Sequence, residues 1–225
     1  MSFSRCSDKE KSGTDIMKAF IYTGGVISPE NITERPKDGD TVIAADSGYI
    51  NAKTLGIAPD LLLGDFDSLG EENLPEGVEI IRVPAEKDFT DTQLATETAL
   101  KKGASEIVIV GGLDGRLDHT LSNLAILEHL ASKKVRAHMT NGISRIMLLD
   151  SSSVIIPKGG FKYLSVIAIS DKLKGVSIEG CKYPLENATI EKNFQYAVSN
   201  EIEKNCALIS IRKGRAYIIE SNDPS

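Results

Sequence analysis

Acidic residues placed at the ends of apolar runs are the feature of this sequence best suited to chemistry. In LLLGDFDS (residues 61–68) Asp65 and Asp67 stand two positions apart, directly after an apolar run and a glycine. AADSG (44–48) ends a second apolar run at Asp46, and EKDFTDTQ (86–93) offers Asp88 and Asp91. If Asp46, Asp65, Asp67 and Asp91 converge, two carboxylates about 4 Å apart repel by roughly 4 kcal/mol at an effective dielectric of about 20. Such a cluster needs a cation or must take up protons. Oxygen-only donors of this hardness suit magnesium, which keeps several waters and shares its shell with substrate phosphates. The pattern therefore predicts a metal and nucleotide site. Taken singly, each acid also has a plainer reading. An Asp after a strand forms turns, and Asp88 with Asp91 reads as the N-cap and first turn of a helix. In GGLDGR (111–116) the glycines serve tight turns or let phosphate approach backbone N–H groups.

These acids matter together only if one sheet edge presents them. From residue 17 to about 142, short apolar runs (KAFIYT, TVIAA, DLLLG, VEIIRV, EIVIVGG, VRAHMT) alternate with helical patterns. Near-continuous apolar strands separated by helices predict a parallel sheet covered on both faces. In such a sheet ligands bind outside the carboxyl ends of the strands. At that edge the successive runs lead into Gly24 and Gly25, then Asp46, then Asp65 and Asp67, then Lys87, Asp88 and Asp91, then the 111–116 loop. The clearest helices are DFTDTQLATETALKK and DHTLSNLAILEHLASKK. In the second, Leu117, Leu121, Leu124 and Glu128 share a row that Leu127 and Leu130 widen into a buried stripe. After Gly142 the texture changes to strand-like runs (RIMLL, SVIIP, YLSVIAIS, GVSIEG, QYAVSN, ALISIR, AYIIE) separated by turn formers, which predicts an antiparallel sandwich. The expected organisation is a flexible extension at residues 1–16, an α/β catalytic domain at 17–142 and a β-sandwich domain at 143–225.

Composition narrows the function classes. A formal net charge of −6 with scattered basic residues argues against a nucleic-acid partner. No apolar stretch approaches the ~20 residues that span a bilayer, and there is no signal-peptide core, so a cytoplasmic protein is expected. Cys6, Cys181 and Cys206 form neither a disulfide framework nor a zinc knot. Neither the P-loop nor the G-x-G-x-x-G fingerprint occurs. His119, His129 and His138 lack metal-ligand spacing and are read as surface or satisfied core residues.

Taken in order, AADSG, PDLLLGDFDS, EKDFTDTQLA, VGGLDGRLDHTLSNL, YPLENATI and VSNE resemble the thiamine pyrophosphokinase family across residues 17–220. The resemblance implies an α/β domain followed by a β-sandwich, a homodimer with active sites at the subunit interface, and transfer of pyrophosphate from ATP to thiamine. It also implies that Asp46, Asp65, Asp67 and Asp91 are the magnesium and phosphate-site acids. Arg116 and Asp118 match positions at the nucleotide and substrate end of the cleft; from the residues themselves, Gly112 is a further nucleotide-binding candidate and Lys87 a candidate fixed positive charge whose plainer reading is an exposed loop lysine. Ser199 and Asn200 match residues that meet the thiamine pyrimidine. Three rival readings remain at this point: an aspartyl-phosphate phosphatase, a D-x-D glycosyltransferase, and a non-catalytic nucleotide- or vitamin-binding module. The phosphatase reading is weakened because its D-x-D comes after the first strand, whereas this one comes after the third.

Overall fold

The computed structural model describes residues 17–66, 75–83 and 89–223. The six apolar runs of the first half form β1 (Lys18–Tyr22), β2 (Thr41–Ala45), β3 (Leu61–Gly64), β4 (Glu79–Arg82), β5 (Glu106–Val110) and β6 (Arg136–Thr140). They pair in parallel in the order β4-β3-β2-β1-β5-β6. The chain therefore runs outward on one side of β1 and returns to build the other side, which puts the switch point at the carboxyl ends of β1 and its neighbours. Ala19, Phe20, Ile21 and Tyr22 of β1 are all fully buried, because both faces of this strand are covered.

Helices α2 (Asp91–Lys101) and α3 (Leu117–Ser132) pack on one face through Ala95, Ala99, Ile126, Leu127 and Leu130, against Ile21, Ile43 and Ile109. The short α1 (Gly48–Thr54) lies on the other face, where Ala52 meets Phe20, Tyr22 and Leu62. A Cβ at Gly48 would stand 2.1 Å from the Tyr22 carbonyl oxygen, so only glycine lets α1 start this close to β1. The buried face of α3 is Asn123, Ile126, Leu127 and Leu130. Leu117 and Leu121, expected in the buried stripe, are instead 71% and 57% exposed. The first turns of α3 come directly after the loop at the sheet's carboxyl edge, and the helix is buried only from Asn123 onward.

In the second half β7 (Ser144–Asp150), β9 (Tyr163–Ala168) and β13 (Arg215–Ser221) extend the same sheet, in the order β6-β7-β13-β9, with antiparallel pairing. A second sheet, β11-β10-β12-β8, is made of β8 (Ser153–Pro157), β10 (Lys172–Glu179), β11 (Leu185–Glu191) and β12 (Cys206–Lys213). It packs on that extension through Ile156, Val176, Ile178, Ile209 and Ile211, against Val166, Ala168 and Ile218. Burial alternates along β9 and β13, as expected for strands buried on one face. The sandwich thus borrows one of its layers from the parallel sheet. Gly142, where the sequence texture changes, lies in the hairpin between β6 and β7, and Asn141 Oδ1 accepts there from the N–H groups of Ile143 (3.0 Å) and Ser144 (2.8 Å). QYAVSN, expected as a strand, is an irregular segment joined to β9 by the Leu164–Asn200 bridge and by a hydrogen bond from Val166 N–H to the Ala197 carbonyl (2.8 Å). In the other sheet the edge strand β11, paired with β10, was not anticipated, because LENATIE is too polar to advertise itself.

At the amino ends of the parallel strands an ionic network ties β1, β5 and β6 to the loop carrying Glu34. Lys18 pairs with Glu34 and with Glu106 (2.7 Å), Arg136 with Glu106 (2.7 Å), and His138 Nε2 lies 3.0 Å from Glu34. The His138 hydrogen bond, supported by Lys18, holds the Glu34 carboxyl down to about 2 against the upward push of burial. A depressed folded value stabilises the protein fully above the ordinary glutamate value of 4.5, and the stabilisation is lost as pH falls toward about 2. Glu34→Gln is expected to lower the melting temperature at neutral pH, with the difference from wild type shrinking to nothing in acid. A pH series of thermal melts checks this, and a constant difference across the series would remove the linkage.

Candidate active site

The carboxyl edge of the parallel strands opens into a cleft of about 470 Å³. Asp46, Asp65 and Asp91 line it together with Gly112 and Arg116. Each acid is aimed by a local feature of the chain. Asp46 comes after β2 in a left-handed conformation (φ 47°), which Asp tolerates better than most residues. Its N–H donates to the Leu63 carbonyl (2.8 Å), and its own carbonyl accepts from Tyr49 as α1 begins. Asp65 comes directly after β3, and the next residue, Phe66, is buried (3% exposed) at φ 61°, so the chain turns sharply as it leaves the strand. Asp91 is the first residue of α2, behind the N-cap Thr90, whose side chain accepts from Gln93 N–H at 3.2 Å. The cap is thus Thr90, not Asp88. Asp67, Lys87 and Asp88 lie outside the described residues.

The cleft floor is a pair of glycine turns held by the helices around it. After β1, residues 23–26 turn away; after β5, Gly111 and Gly112 do the same, and Gly112 N–H donates to the Gly24 carbonyl at 2.9 Å. A Cβ at Gly112, where φ is +71°, would meet Asn123 Nδ2 at 2.6 Å. From α1, Asn51 Nδ2 donates to the carbonyls of Thr23 (2.7 Å) and Gly25 (3.0 Å). From α2, Thr92 shares a 2.7 Å hydrogen bond with Thr23 Oγ1. From α3, Asn123 Nδ2 donates to the Gly112 carbonyl at 3.0 Å. Asn51, Thr92 and Asn123 are all buried, so they are structural supports of the turns. None of the three stands out in the sequence as a functional residue. Asn123 did carry a signal: it heads the helical row completed by Ile126, Leu127 and Leu130, a polar residue on an apolar face.

Arg116 is the N-cap residue of α3 and is exposed. Its guanidinium grips Asp118 through two nitrogens, Nη2 to Oδ2 at 2.6 Å and Nε to Oδ1 at 3.1 Å. This hydrogen bond lowers the Asp118 carboxyl below its usual range and raises Arg116 further. Asp118 stands beside the cleft as the partner of Arg116, while Arg116 itself lines it. His119, read from the sequence as a surface or core residue, also lines the cleft.

Ser199 and Asn200 are not among the described residues that line this cleft. Ser199 is exposed, in a left-handed conformation (φ 54°), with its N–H on Ser165 Oγ at 3.0 Å. Asn200 is buried (4% exposed); its Oδ1 accepts from Tyr183 (3.0 Å) and Glu201 (2.9 Å), and its Nδ2 donates to the Tyr183 carbonyl (2.8 Å). It borders a second hollow of about 240 Å³ shared with Tyr183, Tyr196 and Val198.

Among the described residues, no three His, Cys, Asp or Glu side chains form a group that could hold a metal ion by themselves. The donor set of the cleft nonetheless fits magnesium. Asp46, Asp65 and Asp91 offer oxygen alone, and magnesium characteristically takes one or two carboxylates and completes its shell with water and substrate phosphates.

Comparison with known proteins gives the family of both halves. Residues 34–139 match the family model described as thiamin pyrophosphokinase, catalytic domain, and residues 152–215 match that described as thiamin pyrophosphokinase, vitamin B1 binding domain. A thiamine pyrophosphokinase of Bacillus subtilis is 31% identical over 186 residues, covering 80% of this chain and 87% of that protein. Thiamin pyrophosphokinase 1 of Caenorhabditis elegans is 24% identical over 209 residues, covering 85% and 82%. The crystal structure of thiamine pyrophosphokinase from B. subtilis superposes with a TM-score of 0.83 at 27% identity, covering 92% of this chain and 100% of that one. That of thiamin pyrophosphokinase from Geobacillus thermodenitrificans gives 0.80 at 25% identity, covering 93% and 99%.

Proposed function

This chain belongs to the thiamin pyrophosphokinase family, and we infer from that premise that it transfers the pyrophosphoryl group of ATP to the hydroxyl of thiamine, giving thiamine diphosphate and AMP. The observation that carries the reading is the meeting of Asp46, Asp65 and Asp91, from three separate elements, with two glycine turns and Arg116 in one cleft. The phosphatase, glycosyltransferase and non-catalytic readings find no support among the matched proteins.

In this reading the turns at residues 24–25 and 111–112 form the floor on which the triphosphate lies, and their bare glycines let Ser47, Asp114, Thr23 and Asn123 pack against the backbone. Asp46, Asp65, Asp91 and the neighbouring Asp67 are the candidates to hold magnesium. A cation bound there neutralises triphosphate charge and the negative charge developing at the transferred phosphorus, an effect of several kcal/mol. Arg116 adds a fixed positive charge at the mouth and Lys87 is a second candidate for that role; Asp118 holds the Arg116 guanidinium until an anion arrives. Catalysis is then chiefly positioning and charge stabilisation, with the thiamine hydroxyl held in line with the β-phosphorus and AMP leaving.

Ser199 and Asn200 are proposed to meet the thiamine ring in a cleft completed by a second copy of the chain. Their separation from the lining of the first cleft supports this, as do the uncovered Leu117 and Leu121 beside it and Tyr183, Phe194 and Tyr196 near the two residues. The domain roles divide in the same way, with residues 17–142 binding ATP and 143–225 binding thiamine and dimerising. No helix among the described residues is long and apolar enough to cross a membrane. A cytoplasmic location is proposed, where both substrates are in solution.

The test is to incubate the protein with thiamine, ATP and magnesium and to resolve the products by chromatography. AMP and thiamine diphosphate in equal amounts are expected. ADP with thiamine monophosphate, or a phosphoryl group trapped on Asp65, would overturn the assignment.

A further inference from the structure

Asp114 sits in the middle of the 111–116 loop and lines the cleft with the three acids Asp46, Asp65 and Asp91. Both of its oxygens accept from a single backbone group, the Val26 N–H, at 2.9 and 3.0 Å. Val26 closes the turn after β1, and the residue before it, Gly25, has φ +101°. A Cβ built on Gly25 would stand 2.4 Å from Asp114 Oδ1, so the carboxylate fills the space that a side chain would need. The Asp114 carboxylate and the bare Gly25 are therefore complementary, and the Val26 contact spans 88 residues of sequence. A second link runs the other way, from Gly112 N–H to the Gly24 carbonyl at 2.9 Å. The three helices support these turns through neutral buried side chains, Asn51, Thr92 and Asn123. Asp114 is the charged support, and it comes from the loop itself.

We propose that Asp114 is a positioning residue for the triphosphate of ATP: it locks the turn at residues 24–26 onto the loop at 111–116, so that the two turns meet the phosphates as one rigid floor. It is not one of the acids that hold magnesium. The physical reason is the charge-assisted hydrogen bond, which is stronger than a neutral one and is made to a turn whose glycine has more conformational freedom to lose than any other residue type. Its loss leaves the turn to be ordered at the moment ATP binds, so the cost falls on binding and not on the chemical step. This rests on the reading of the cleft as an ATP site.

The test compares Asp114→Ala with Asp114→Asn in the full-length protein. The alanine variant is expected to speed amide hydrogen exchange at Val26 by about tenfold or more, and to raise the KM for ATP by a similar factor. Its kcat is expected to stay within about threefold, with the KM for thiamine unchanged. Asparagine keeps an oxygen toward the Val26 amide and should recover most of both losses. Unchanged exchange at Val26 in the alanine variant would overturn the proposal. So would a lower melting temperature with an unaltered KM for ATP, or an asparagine variant as impaired as alanine with a raised magnesium requirement. If the wild-type chain makes no thiamine diphosphate, the functional reading fails by itself. Asp114 is then judged by Val26 exchange and by calorimetric ATP binding, and equal ATP affinity in wild type and the alanine variant would sink it.

Discussion

Asp65→Asn is expected to lower the rate of thiamine diphosphate formation by up to about a thousandfold while leaving the fold intact. Asparagine has the shape of aspartate and can stay at the end of β3, where Leu61, Leu62 and Leu63 anchor the chain in the core. What it lacks is the charge. If Asp65 helps hold magnesium against the triphosphate, losing it removes charge stabilisation that is fully realised only as the phosphorus is transferred, and single electrostatic contacts of that kind are worth about a hundred- to a thousandfold, with metal contacts at the upper end. The same expectation attaches to Asp67. Initial rates at saturating ATP and thiamine, together with a thermal melt, separate the two outcomes. ATP affinity measured without magnesium supplies a control, because removing a carboxylate from an acidic cleft should not weaken metal-free ATP binding. Full turnover in Asp65→Asn would remove the metal role from this residue.

The second large effect is at Arg116. Arg116→Ala should cut kcat/KM by about a thousandfold, the lower end of what a transition-state arginine contributes in phosphoryl transfer. Arg116→Lys should recover only part of the loss, since an ammonium cannot reproduce the two-nitrogen grip now made on Asp118 (2.6 and 3.1 Å). Both side chains are exposed, so neither substitution should shift the melting temperature appreciably. Steady-state kinetics of the pair decide it, and a lysine variant with wild-type kcat/KM would reduce Arg116 to a nonspecific charge.

The central strands β1, β2, β3 and β5 were legible because burial on both faces leaves unbroken apolar runs, and the convergence of Asp46, Asp65 and Asp91 was implied by where such runs end. The side chains that shape the floor were hidden for a different reason. Asn51, Thr92 and Asn123 sit on helices where polar residues ordinarily face water, and only tertiary contact shows that they face carbonyls and a hydroxyl. Asp114 carried no signal of its role, since its partner Val26 is remote in sequence. Leu117 and Leu121 fitted the helical period, but a periodic row does not reveal where the sheet beneath it stops. QYAVSN has the composition of a strand but makes few backbone contacts to β9, and LENATIE escaped notice because an edge strand can be paired without being buried.

The sharing of one nine-stranded sheet by both halves has a consequence for how the protein can be taken apart. Cutting the chain at the hairpin after Thr140 would strip β6 of its neighbour and bare the amide and carbonyl groups that His138, Met139 and Thr140 now pair with β7, an open edge prone to self-association. The first half is therefore not a detachable module, and grafting it onto another partner would require that partner to bring a matching strand.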